Sequence, residues 1–283
     1  MPRVFIPGWE KYSNKRAGMQ IKTFIFYFFL VILALSVWGR DSADARSQTN
    51  ISFAFGRWVP MDHVDDSGRG CGVLVDIARE VFENELGLKL VCIERPWKRA
   101  QLEVKNGTSD FMVTVSTEAR NAYALASQQA FYSLPLFVYT YSGHRQMAAI
   151  HKIRSAGDIR ALRLRSVSNL GNGWHKDNID AAGICTHYVG TDENVLLFLA
   201  NKRADIMIDA LIPTNYLIRK MGLDKSIVLT RSRFSRVDLH LLLSRKSRFA
   251  SWMPKIDAAF ANVRKKGRIA SIISGYSMGG SIK

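Results

Sequence analysis

Only three cysteines, Cys71, Cys92 and Cys185, occur in 283 residues, too few for a disulfide-built scaffold. Their intervals of 21 and 93 residues match no common zinc spacing, and the six histidines include no H-x-x-x-H pair. Neither a metal nor another cofactor is expected. G-x-S-x-G, H-E-x-x-H and phosphate-loop motifs are missing as well, which leaves no catalytic residue to nominate and points away from an enzyme. Negative charge is also scarce, with 24 acids against 40 Lys and Arg and a formal net charge of +16. The cations are scattered along predicted helices, with no zinc-finger spacing, RNA-binding aromatic motif or basic arm, so no nucleic-acid partner is expected. What remains is a solvated basic surface, or one that attracts anionic solutes or an anionic membrane face.

Long apolar runs are confined to one place. Between Lys22 and Arg40 lie 17 residues without a charge, preceded by Lys11, Lys15, Arg16 and Lys22 and followed by Ala43-Asp44-Ala45. A basic segment, an apolar segment and an A-x-A site in that order read as an export signal, residues 1–45, cleaved after Ala45. Met19 is a possible true start. The same run reaches the lower limit of about 17 residues for a membrane span, so an uncleaved anchor is the alternative. No cysteine follows closely enough to carry a lipid. Cleavage leaves 238 residues with 34 basic and 21 acidic side chains, enough for one large domain or two lobes. In the oxidising compartment that export implies, Cys71 and Cys92 can form a bridge, or Cys92 can be a plain buried thiol.

Strands and helices alternate along the mature part, the pattern of an α/β sheet protein. Strand 51–55 precedes a polar loop, helix 73–86 ended by Gly87, strand 88–93, helix 96–106, strand 110–115 and strand 136–140. In helix 96–106, Pro96 suits the first position, Trp97, Ala100 and Val104 share a stripe, and Gly107 supplies the left-handed residue that ends it. Next come helix 155–160, strand 162–167, a Gly171-Asn172-Gly173 turn into a helix, helix 191–201 capped by Thr191, strand 204–209, helix 213–221 and strand 226–229. After 231–237, strand 239–243 leads into a long helix whose stripe of Phe249, Trp252, Met253, Ile256, Phe260 and Val263 is core. The loop after Val115 emerges at the carboxyl end of a parallel strand, where open α/β sheets place ligands, and its arginine is Arg120.

Several of these pieces, in this order and spacing, resemble the extracellular solute-binding proteins of family 3, the polar amino-acid type of periplasmic binding protein. They are the strand Ile51-Ser52-Phe53-Ala54-Phe55, Gly72 to Ile77, Pro96-Trp97-Lys98-Arg99-Ala100 with Ser109-Asp110-Phe111, the Thr117-Glu118-Ala119-Arg120 loop, and Asn201 to Asp209. The resemblance implies a two-lobed type II periplasmic-binding-protein fold with two hinge crossings, near 139–143 and 231–237. One lobe would comprise 46–141 and 232–283, the other 142–231. It further implies a periplasmic monomer that captures a small polar, carboxylate-bearing solute between the lobes and delivers it to the permease of an ABC importer.

Site residues carry over one by one. The arginine closing the family's T-x-x-R loop, here Arg120, grips the ligand carboxylate, and a planar guanidinium suits that task. The hydroxyl residue usual five positions earlier is Val115 here, which leaves Ser116 and Thr117 to offer hydroxyl or backbone contacts. The acid expected for a ligand ammonium falls on Ala210; Asp209, one residue earlier, either shifts into that role or caps the following helix. Trp58, Trp97 and Tyr132 are the candidate aromatic walls, each with core packing as its alternative, and Asn172 opens a helix whose free N–H groups suit an anion. Two rivals stay open: a periplasmic cyclohexadienyl dehydratase-like enzyme, with Glu118, Glu193 and Asp209 as eligible acids, and a ligand-sensing partner of a membrane receptor.

Overall fold

A computed structural model describes residues 49–277, so the export signal and its cleavage site lie outside the described residues. Eleven strands are present in this part: β1 (Asn50–Phe55), β2 (His63–Val64), β3 (Gly70–Cys71), β4 (Lys89–Glu94), β5 (Phe111–Thr114), β6 (Ala124–Ala126), β7 (Tyr132–Tyr141), β8 (Ser166–Asn169), β9 (Thr186–Val189), β10 (Ile206–Ala210) and β11 (Ile227–Ser244). Nine form one sheet in the order β4-β1-β5-β11-β7-β10-β8-β9, with β6 also on β11, while β2 and β3 make a separate ribbon. β1 and β5 run parallel, as do β10, β8 and β9. The antiparallel pair β7 and β11 joins these two parallel groups.

That central pair explains the continuity of the sheet. Residues Leu136 to Thr140 of β7 pair with β10, whereas Tyr132 to Leu134 pair with Val237 to Leu239, just ahead of the β11 segment that pairs with β5. β11 pairs with β7 on both sides of Pro135, and β10 is added as a second neighbour after it, upstream of the 139–143 segment expected as a crossing. The separate strands expected at 226–229 and 239–243 are one 18-residue strand, because β7 serves as antiparallel partner from Ile227 to Leu239 and β5 and β6 take over from His240 to Ser244. Its register breaks between Leu229 and Arg233 and again before Ser235, and such bulges bend and twist a strand without ending it.

Each face of the sheet follows from the two-residue side-chain period. Phe53 of β1 enters a core built with Val73, Ile77, Phe82, Phe111 and Phe260, while its neighbour Ala54 faces Ala100 and Val104 of the Trp97–Asn106 helix. Gly107 ends that helix at φ +81°, and the Thr108 and Ser109 amides both donate to Glu103 O. The expected helix 73–86 is α-helical over Val73–Arg79 and continues as a wider turn over Glu80–Glu85, which still buries Val81 and Phe82. In the other group, Met207 of β10 packs with Val195, Leu196 and Leu199 of the Asp192–Ala200 helix, and Thr191 caps that helix by accepting from Asn194 N. Strand 162–167 lies later than expected, at Ser166–Asn169, the long C-terminal helix begins at Met253 after a short turn over Ala250–Trp252 and runs to Lys265, and a further helix, Arg268–Ser277, follows Gly267.

All three thiols are free. A Cβ on Gly70 would stand 2.3 Å from Cys92 Sγ, so the β3 position that faces Cys92 is Gly70. Cys71, one residue on, points to the other side, where its thiol donates to Asp65 Oδ2 at 3.3 Å.

Gly72 matters for the site because it lets the chain close on the Trp58 loop. Its φ is +117°, and an added Cβ would lie 2.5 Å from Met61 O and 2.7 Å from Pro60 O. Val73 N and Leu74 N donate to those same carbonyls at 3.0 and 2.8 Å. Gly72→Ala combines a strained φ with a backbone clash, and we expect it to destabilise by about 2–4 kcal/mol. A denaturant midpoint within error of wild type would contradict this close packing.

Candidate functional site

Arg120 belongs to a one-turn helix, Glu118–Asn121, that follows β5. Thr117 caps the turn by accepting from Arg120 N at 3.3 Å, and the Ser116 hydroxyl donates to Asn121 Oδ1 at 3.0 Å. The guanidinium is held by its own surroundings: Nε donates to Gln101 Oε1 at 3.3 Å, Nη1 to Val115 O at 3.0 Å, and the carbon between them lies 5.9 Å from the centre of the Trp97 ring. Among the described residues Nη2 donates to no partner. Trp97 is 37 % exposed and therefore departs from the buried stripe of Ala100 and Val104. It packs against the end of β1, since a Cβ on Gly56 would lie 3.3 Å from Trp97 Cβ.

Asp209 lies on the opposite side of the central strand pair, near the end of β10. It shares a strand face with Met207, whereas Ala210 turns into the main core. The one-residue offset from the family pattern thus changes which side of the sheet the carboxylate serves. Asp209 Oδ1 accepts from Ala210 N at 2.7 Å, and no side chain caps the Leu211–Lys220 helix, so Asp209 does not cap it. The carboxylate lines a cavity of about 250 Å³ together with Asp192, Glu193 and Tyr216, and Trp58 and Arg57 reach the same cavity from the loop after β1. Burial pushes the Asp209 carboxyl up to about 7, with the charge of Asp192 adding to the effect and the Ala210 amide opposing it. Asp192 is raised too, first by desolvation and then by Glu193.

The structure therefore brings Trp58 and Asp209 together and stacks Arg120 on Trp97, while Arg120 is outside the lining of the Asp209 cavity. Tyr132 is 3 % exposed and belongs to the core, and burial raises its hydroxyl to about 12; it offers no wall to a cleft. Asn172 is occupied locally: its side chain accepts from His175 N at 3.1 Å and donates to Ser168 Oγ at 3.0 Å. His175 is fully buried between the hydroxyls of Ser166 and Thr186, each 3.2 Å from Nε2, and burial lowers it to about 4. It holds the short Gly173–Asn178 helix to β8 and β9. Of the acids eligible for an enzyme, Glu193 shares the cavity with Asp209 and Glu118 does not.

Sequence reasoning missed Arg57, Asp192, Tyr216 and Lys220 as cavity residues. Asp192 and Glu193 follow a Thr191 cap, where acids ordinarily complement the helix dipole, so no local signal sets them apart. Arg57 carried a weak signal as the neighbour of Trp58.

No curated protein matches this chain. Solved structures similar to it include an ancestral cationic amino-acid solute-binding protein (TM-score 0.63, 14 % identity, covering 83 % of this chain and 98 % of that one). The second substrate-binding domain of GlnP from Lactococcus lactis, in an open conformation, gives a TM-score of 0.60 at 16 % identity over 81 % of this chain and 95 % of that one. A histidine kinase sensor domain with similarity to periplasmic binding proteins gives 0.59 at 16 % identity, over 80 % and 95 %. At these identities the likeness shows the fold, an α/β architecture of the type II periplasmic-binding-protein kind. The model of the bacterial extracellular solute-binding proteins, family 3, matches residues 53–279. With nearly all of the described part matched, this chain belongs to the bacterial extracellular solute-binding proteins, family 3.

Proposed function

We propose that the protein captures a small solute carrying a carboxylate and a positive charge, an amino acid or a relative, and presents it to a membrane-bound ABC importer. In this reading it is exported to the periplasm as a monomer. Its lobes are the β4-β1-β5 and β10-β8-β9 groups, with β7 and β11 as the crossings. The observation that carries the proposal is the shared cavity: Trp58 comes from the loop after β1 and Asp209 from the end of β10, on opposite sides of the crossing strands. Asp192, Glu193 and Asp209 outnumber Arg57 and Lys220 in the lining, a local acidic excess in an otherwise basic protein that suits a cation, with aromatic rings of Trp58 and Tyr216 alongside. The Nη2 edge of Arg120 suits a carboxylate. The cationic and amino-acid ligands named for the similar structures agree with this chemistry.

Protein purified without refolding should release an amino acid or close relative on denaturation in native mass spectrometry. Adding that solute back should reduce the radius of gyration in small-angle scattering, because hinge closure around a ligand compacts two lobes. An unchanged profile at saturation would overturn the cleft mechanism. The presence of Glu193 and Asp209 in one cavity favours the dehydratase-like enzyme as second reading, since a carboxyl raised to about 7 suits proton transfer. Dehydration of a cyclohexadienyl substrate that Asp209→Asn abolishes would favour that reading.

A further inference from the structure

We infer that the face formed by Lys152, Arg154, Arg231 and Arg233 docks on an anionic lipid surface. Arg231 and Arg233 are two apart in β11 and both exposed, while Ser232 between them is fully buried, so the two guanidinium groups leave the same side of the strand. The turn at 151–154 is tied to this stretch. Arg231 N donates to His151 Nδ1 at 3.0 Å and the Ser232 hydroxyl donates to Ile153 O, which holds the turn carrying the exposed Lys152 and Arg154 against this same stretch of β11. Two pairs of cations, carried by segments about 80 residues apart, meet at this backbone contact.

Little opposes them. Residues 225–236 contain four cations and no acid, and residues 145–165 contain six cations and one acid, Asp158. Asp158 accepts from Arg154 N at 2.8 Å and Ser155 N at 2.9 Å, bonds that hold its carboxyl below the ordinary value, so it offsets part of Arg154. Arg154 Nη1 also donates to Ile153 O at 2.8 Å. Among the described residues none of the four cations has a carboxylate within 4 Å, whereas nearby Arg165 and Arg236 pair with Asp205 and Asp238. At the edge of the face stands Leu229, 38 % exposed and on the outward side of the same strand. Unpaired cations beside an exposed aliphatic side chain match the chemistry of a phospholipid headgroup layer. Nucleic acid is a poorer match, because the four cations stand beside a leucine and line no groove with stacking aromatics.

The test is flotation of the full chain with vesicles of phosphatidylcholine alone and with 30 % phosphatidylglycerol, in about 0.1 M salt, where screening acts over about 10 Å. Residues 1–45, with an apolar run and six Lys or Arg against three acids, contribute equally in wild type and variants, so the readout is the change in the ratio of the two affinities between them. Each cation near an anionic surface contributes about fivefold. The wild-type ratio should then exceed about 50, and Arg231→Glu with Arg233→Glu should lower it by about 25-fold or more with an unchanged circular dichroism spectrum. If that variant does not fold, Lys152→Glu, on an exposed turn, should lower the ratio about fivefold. A wild-type ratio near one, a folded double variant that keeps the ratio, or displacement of protein from vesicles by equimolar duplex DNA would overturn the inference.

Discussion

Arg120→Ala should weaken binding of the solute retained by the wild-type protein by about 30-fold to several thousand-fold in calorimetric titration. Truncating one member of a buried, hydrogen-bonded charge pair costs roughly 2–5 kcal/mol, and that range sets the interval. The guanidinium is already oriented by Gln101, Val115 O and the Trp97 ring, so the wild type spends little conformational entropy in presenting Nη2. Arg120→Lys should recover only part, because an ammonium keeps the charge and loses both the fork and the stacking geometry. The fold should survive either change, since Arg120 is half-buried on a one-turn helix outside the core clusters. A folded Arg120→Ala protein that binds within threefold of wild type would remove Arg120 from the site.

Asp209→Asn should abolish two pH dependences at once. A carboxyl held near 7 in the folded protein and near 3.8 in the unfolded chain keeps its proton on folding between those values. The contribution of Asp209 to stability is therefore greatest at acid pH and declines as pH rises from about 4 through 7. Allowing for its partial exposure, the loss amounts to about 1–3 kcal/mol. Cation binding needs the ionised form and runs the other way, so affinity should rise roughly 10- to 30-fold between pH 5.5 and 8. The asparagine variant should be the more stable protein at pH 8, bind a cationic solute at least 30-fold more weakly there, and show neither slope. Calorimetry and thermal melts at the two pH values decide it: a pH-independent wild-type affinity would exclude Asp209 as the cation's partner.

Much of the fold was legible because it rests on short-range physics. Gly107 ends its helix in the left-handed conformation, Thr191 caps the next group's helix, and Met253, Ile256, Phe260 and Val263 are buried along one helix as the residue pattern implies, whereas Phe249 and the half-buried Trp252 belong to the short turn before it. β6 and β9 were not read at all. They are three- and four-residue strands with few buried positions, and pairing with β11 and β8 defines them more than their own composition does.

The sequence by itself determined the alternating elements, the family and the T-x-x-R turn, because caps, helical stripes and turn residues act over a few positions. Only the tertiary structure decided which aromatic is free, since Trp97 and Tyr132 each belong to a plausible local pattern and a ring is exposed or covered by what packs from elsewhere. It also decided that Asp209, Asp192 and Trp58 share a cavity. A strand exchanges faces every residue, so the one-position shift from Ala210 to Asp209 acquires meaning only when the helices on each side of β10 are in place.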